Sequence, residues 1–492
     1  DGDTATRLSA ASVTLTSNSG AVGTTGTGNE IDVQAGKVEA TARGGGINLG
    51  LTGGTSFSSL TSAGDIRIAK DNSAGDIALG SIQANGHDVY VDNQGGSIVS
   101  GSLSNTRNVT LIAQGSIGNV SAIQTSASSG TTVLTAVANT NGRGATGSVN
   151  ISESYGLNAT SITAPGAITL KNGQGTLSVG TIGGPSGTAA GAVSVTAGQG
   201  SIVGNAGNSI NASSVTLSAN YSNATSIGSS TQAINVTTPD LTLKTSRDIY
   251  VNDTSALTNL TIDRTPSSGS TSGGIINLSA SGLTASITDA GSTVTLANIT
   301  AYGLNLSYKT TQAISVGTIN LGSTGSLTLT TAPTSGSASI TASSGSSQVT
   351  AGTVSLTAGG TASSIGNSSQ ALQIAVSTMS ATAGTGGIYL SQAGDITLSN
   401  LSSGGALSVS TTNGGNITLG QVSYGNGQAL TLNAAGSIYS GGYTIYGSAS
   451  SGGTYGAINL TAVSGIGTAA APVTIYAPGN GITGNAGSAT GT

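Results

Sequence analysis

Four aspartates offer the best candidates for chemistry in this sequence. Asp65, Asp76, Asp88 and Asp92 follow one another at intervals of 11, 12 and 4 residues. A close pair of carboxylates is what glycoside hydrolysis needs. The first three, however, sit in AGDI, AGDI and GHDV, each just before an alternating apolar run. Aspartate in that place is read as a turn residue whose carboxylate caps backbone amides. His87, the one histidine, stands beside Asp88 with no partnered serine motif and is read as a turn residue too. One His and no Cys exclude a multi-histidine metal site, a thiolate site and a cysteine nucleophile. Calcium-binding nonapeptide repeats do not occur in register, so no structural calcium is expected. No catalytic, cofactor-binding or metal-ligating residue is assigned.

Tyrosine is the second candidate. Thirteen are present, six of them late: Tyr424, Tyr439, Tyr443, Tyr446, Tyr455 and Tyr476. An exposed Tyr offers an apolar ring and a polar tip, suited to stacking on a sugar or anchoring a protein contact. Tyr439, Tyr443, Tyr446, Tyr455 and Tyr476 are therefore the candidate contact or glycan-binding residues. The plainer alternative is that Tyr decorates outward strand positions, as at Tyr250 and Tyr389. Asn-x-Ser/Thr sequons are also common, about seventeen including Asn108, Asn150, Asn235, Asn298 and Asn416. Most are what an Asn-apolar-Thr strand pattern produces in an Asn- and Thr-rich chain, so glycosylation stays open.

These side chains must be held by something, and the repeat says what. AGDITLSNLSSGGALSV (Ala393 to Val409), AGDIALGSIQANGHDVYV (Ala74 to Val91), GGNITLGQVSYGNGQALTL (Gly414 to Leu432) and AGSTVTLANITAYGLNL (Ala290 to Leu306) share one order. A small turn leads to an apolar-x-apolar triplet, a further apolar residue, a Gly-containing turn and a second triplet. Triplets such as Ile66-Arg67-Ile68, Val193-Ser194-Val195 and Leu327-Thr328-Leu329 continue along the chain. Period-two alternation puts one face inside and the other in solvent. No 3.6-residue pattern competes, so almost no helix is expected.

Short strands could build a sandwich, a barrel or a solenoid. A fixed unit repeated along the chain favours the solenoid. Taking Ile396 to Ile417 as one unit gives about 21 residues per coil. With coils about 4.8 Å apart, some 23 of them would make a single elongated rod of roughly 110 Å. The composition fits that geometry: 79 of 492 residues are Gly, only 6 % are charged, and one Phe and no Trp are present. Gly and Asn suit tight corners, small aliphatics a narrow interior, and Ser, Thr and Asn the outer rows. The expected divisions are 1–63, less regular and more charged; 64–309, central coils; and 310–492, nearly uncharged, Tyr-containing and continuous with the rest. Residues 1–92 carry fifteen of the 29 charged groups, and from Thr310 onward only Asp395 is charged.

A second motif, SIGSSTQAINV at Ser226, SIGNSSQALQI at Ser364 and the variant GIGTAAAPVTIYA at Gly465, recurs beside the AGDITL-type units. Together they resemble the repeat region of filamentous-haemagglutinin-like exoproteins, and autotransporter passengers share much of the pattern. The resemblance runs from about Gly64 onward. It implies a right-handed parallel β-helix, the hand that parallel crossovers generally take. It also implies export from a Gram-negative bacterium by two-partner secretion, with an outer-membrane transporter as partner during export. The family's Asn-Pro-Asn-Gly secretion signature does not occur in the chain, which points to an internal or processed segment.

The expected protein is all-β, non-enzymatic and extracellular, on the bacterial surface or in a secreted filament, with a role in cell adhesion or biofilm. Two functions compete: an adhesin shaft, and a self-assembling matrix filament whose coils stack end to end. A polysaccharide-active enzyme is a third. Expected partners are further copies of the chain, by end-to-end or lateral assembly, and host-cell or matrix glycans. Scattered Lys and Arg argue against nucleic acid, and no apolar run reaches the ~18–20 residues of a membrane-spanning helix. No cofactor is expected.

Overall fold

Alternation decides the architecture. In the strand Ile66–Lys70, Ile66, Ile68 and Lys70 turn inward while Arg67 and Ala69 turn outward. The same in–out pattern marks Val149–Glu153, Ser326–Thr331 and Leu407–Thr412. A strand with one apolar face needs that face covered, and here a strand of the next coil continues the same wall. In a computed structural model the chain is nearly all β, built of parallel strands stacked as a β-solenoid of about 18 turns. The structure describes residues 7–24, 29–127, 130–140, 147–219, 225–245, 247–257, 259–264, 275–282, 284–289, 294–300, 305–446, 456–476 and 481–487. Among them the one helical element is a three-residue 3-10 turn, Pro185–Gly187.

Contacts divide the chain into two units, Asp1–Ser246 with Tyr250–Asn252, and Arg247–Ile249 with Asp253–Thr492. In the first, Ile47 pairs with Ile66, Ile66 with Val89, Val89 with Val109 and Val109 with Leu134, offsets of 19, 23, 20 and 25 residues. In the second, Leu306, Leu327, Val354, Met379, Leu398 and Leu419 pair in turn, at offsets of 21, 27, 25, 19 and 21. Coil spacing is about 23 residues rather than 21. The unit from Ile396 to Ile417 is a tight one. Elsewhere the corners lengthen, up to the 32 residues between Ile117 and Val149, because an insertion at a surface corner leaves the stacked walls undisturbed.

Both series just named are buried, each member at most 2 % exposed. Each such side chain contributes on the order of 1.5–3 kcal/mol by leaving water. Larger groups also fit inside. The one Phe, Phe57, is buried, and so are Tyr308 and Tyr424, which an outward-facing reading of tyrosine would misplace.

Corners are set by close approach. Gly80 has φ +57, and a Cβ there would run into the Phe57 carbonyl of the preceding coil. A Cβ on Gly420 would lie 2.4 Å from the Leu398 carbonyl oxygen. One coil earlier the chain has Ser399 after its triplet, and the Ser399 hydroxyl donates to the Met379 carbonyl at 3.0 Å.

Candidate functional site

At several corners the residue just before a triplet bonds to its counterpart one coil later. Asp65 Oδ1 accepts the Asp88 amide at 3.0 Å, and Asp88 Oδ1 accepts the Asn108 amide at 3.2 Å. Asp76 Oδ1 accepts the Ser97 amide at 2.8 Å, and Ser97 Oγ accepts the Ser116 amide at 3.0 Å. In the second unit Asp395 Oδ1 accepts the Asn416 amide at 2.8 Å, and Asn416 Oδ1 accepts the Ser437 amide at 2.7 Å. The aspartates do cap backbone amides, but the amides belong to the following coil rather than to their own turn. Asp92 takes a different place, accepting from Tyr90 Oη at 3.4 Å and Gln94 Nε2 at 3.3 Å.

Two of these carboxylates have charged company. Arg107 Nε donates to Asp88 Oδ1 at 2.8 Å, and His87 Nδ1 lies 3.6 Å from Asp65 Oδ1. The Arg107 hydrogen bond, opposed by partial burial and aided by Asn108, holds the Asp88 carboxyl below its ordinary range. The same ladders occupy sequon side chains: Asn108 Nδ2 donates to Asp88 at 2.9 Å and Asn416 Nδ2 to Asp395 at 2.9 Å.

The six late tyrosines fall in three groups. Tyr439, Tyr443, Tyr446 and Tyr476 are all exposed. Tyr446 and Tyr476 pair in register, with ring centroids 6.1 Å apart and planes tilted by 57°. Tyr439 instead follows Thr397 and Thr418 in register, beside Asp395 and Asn416. Tyr455 lies outside the described residues. Tyr424 is buried, and burial pushes its hydroxyl pKa up.

One site is not apparent from the motifs. A groove of about 340 Å³ in the first unit is lined by Asn48, Asp65, Arg67, Asp88, Tyr90 and Asn108, among others. The Arg67 guanidinium lies 5.5 Å above the Tyr90 ring, a cation–π distance. Its Nη1 donates to Asn48 Oδ1 at 3.4 Å. Arg67 and Tyr90 are 23 residues apart and occupy the same outward triplet position in successive coils. That coil-to-coil offset is the signal that would have found them.

Among the described residues no group of three or more His, Cys, Asp or Glu gathers to hold a metal, and no helix is long and apolar enough to cross a membrane. No family model matches the chain, and searches of curated proteins and of solved structures give no match.

Proposed function

We propose that this chain is a non-enzymatic, extracellular segment of a bacterial adhesin or surface-filament protein of the filamentous-haemagglutinin-like type, exported by two-partner secretion. Its work is to form a shaft for attachment or biofilm, with host-cell or matrix glycans as ligands. The observation that carries this reading is the use made of the aspartates. Asp65, Asp76, Asp88 and Asp395 each hold the next coil by an amide, so the best acid–base candidates are committed to the scaffold. The outward triplet positions of the stacked walls carry mostly short polar side chains, and the exposed tyrosines supply points of contact.

A self-assembling filament subunit is the second reading, with the in-register Tyr446 and Tyr476 as a lateral contact. Electron microscopy of the isolated segment separates the two. Discrete particles that bind cells or glycans are the expected result for a shaft, and long fibres formed by the segment alone would support the filament. Release of sugar from a polysaccharide, abolished by replacing Asp76 or Asp88, would overturn both.

A further inference from the structure

The groove of the first unit contains a patch two coils deep and two positions wide. Asp65 and Arg67 stand two residues apart on the outward face of one coil, and Asp88 and Tyr90 take the same places on the next. All four line the groove of about 340 Å³. Outward neighbours on a strand are about 6.6 Å apart and successive coils about 4.8 Å, which gives the patch the footprint of one small ring. Residues 21–24 wall one end. Val22 bridges to Ile47, and the Thr24 carbonyl accepts Asn48 Nδ2 at 2.6 Å.

The patch keeps bonding capacity that the scaffold does not use. Asp65 Oδ1 and Asp88 Oδ1 serve the ladder and its neighbours, and among the described residues no hydrogen bond reaches the second oxygen of either. A guanidinium has five N–H donors. One of those on Arg67 reaches Asn48 Oδ1 at 3.4 Å, and among the described residues the others meet no acceptor and no ion-pair partner. Two acceptors one coil apart thus stand beside a block of donors.

The charges select the ligand. An anion meets two carboxylates, and a cation meets the guanidinium. An apolar group would strip water from all three and return no hydrogen bond. A hydroxyl both donates and accepts. Adjacent hydroxyls of a sugar ring can give one donor to each carboxylate while another oxygen of the same sugar accepts from Arg67. The Arg107 hydrogen bond holds the Asp88 carboxyl below its ordinary range, so Asp88 is an acceptor at neutral pH. A volume near the lower end for ligand pockets suits a single unit. We propose that Asp65, Asp88 and Arg67 bind one neutral hexose unit of a glycan, with adjacent hydroxyls on the carboxylates and a further sugar oxygen on the guanidinium. The inference rests on the glycan-binding reading above and gives it a site apart from the exposed tyrosines.

The test titrates the full chain with oligosaccharides of glucose, galactose or mannose, and with oligogalacturonate as the acidic counterpart, by calorimetry. At least one neutral series binds, and more tightly than oligogalacturonate. Arg67→Ala weakens that binding about tenfold or more, the equivalent of one lost charge-assisted contact. Asp65→Asn does the same while keeping an oxygen for the Asp88 amide, whose exchange rate stays near wild type. Asp395→Asn, the same change at a corner of the second unit, leaves binding unchanged. Tighter binding of oligogalacturonate would overturn the choice of a neutral sugar. Binding unaltered in Arg67→Ala and Asp65→Asn but lost in Tyr446→Ala would overturn this site and leave the glycan reading standing. A chain that binds none of these sugars overturns the site, and if it also attaches to no cell the adhesin reading fails with it.

Discussion

The two units solve one corner problem with different chemistry. In the first, Asp65 and Asp88 lead their triplets, and Arg107 and His87 stand against them. In the second, a ladder runs from Asp395 through Asn416 to Ser437, and among the described residues no cation pairs with it. Neutral serines do the same elsewhere: Ser201 Oγ accepts the Ser226 amide at 3.0 Å, and Ser339 Oγ accepts the Ser364 amide at 3.0 Å. The corner therefore asks for a short side-chain acceptor, and charge is optional. That explains how the chain from Thr310 onward keeps the fold with Asp395 as its one charged residue. Charge in the first unit adds something local, the Arg67–Tyr90 groove and the ion pairs beside it, to a scaffold that does not depend on it.

The comparison can be broken most forcefully at the shared core. Leu111→Asp in the first unit and Leu398→Asp in the second each bury an unpaired charge, and each should cost about 4 kcal/mol. Thr397→Val, one residue away on the outward face, should change stability by less than about 0.5 kcal/mol. Denaturant unfolding of the three variants measures this. Equal tolerance at Thr397 and Leu398 would contradict the assigned wall.

A smaller effect tests the ladder. Asp395→Ala removes the acceptor for two donors of Asn416 and should cost about 1 kcal/mol, whereas Asp395→Asn, which keeps an acceptor oxygen, should lose less than half of that. Amide exchange at Asn416 should rise in the first variant and stay near wild type in the second. If both variants behave alike, the charge is needed after all and the two units differ more than their geometry implies.

The smallest effect separates the units by pH. Asp88 is held below the ordinary carboxylate value of 3.8, chiefly by Arg107. A group depressed in the folded state contributes stability above its ordinary value, and that contribution is lost as pH falls through the folded value. The first unit should therefore weaken below about pH 3.8 through this group, and Asp88→Asn should flatten that limb. The pair is exposed, so the effect is modest and shrinks in high salt. An acid limb identical in wild type and Asp88→Asn would show that the ion pair is ornamental.

Much of this was legible from the sequence, for physical reasons that name what was missed. Period two places Ile396 and Leu398 inside and Thr397 outside, and stacking walls require that same order in every coil. The triplet is only part of the inward face, however. The strand continues two residues further, to an inward position where Lys70, Asn93, Glu153, Asn172 and Gln392 fold back on the turn. Lys70 Nζ, for example, donates to the carbonyls of Asp71 and Ser73, and burial pushes its pKa down. A polar residue there breaks the alternation and reads as the start of a loop. Tyr308 and Tyr424 were obscured differently, because their burial depends on which coil lies above and below. Intervals along the chain also concealed the site pairs: Asp65 and Asp88 are neighbours at 23 residues, not at the 11 or 12 that separate successive aspartates.

The corner ladders have a direction. In each pair described, the acceptor side chain comes first in the chain and the amide it receives comes a coil later: Asp76 before Ser97, Ser97 before Ser116, Asp395 before Asn416, Asn416 before Ser437. A chain that emerges amino end first thus completes a coil whose acceptors already await the next. Every finished coil is a template for the one to come, and order can advance along the polypeptide in step with its arrival. Growth from the opposite end would set the donors down before anything could receive them.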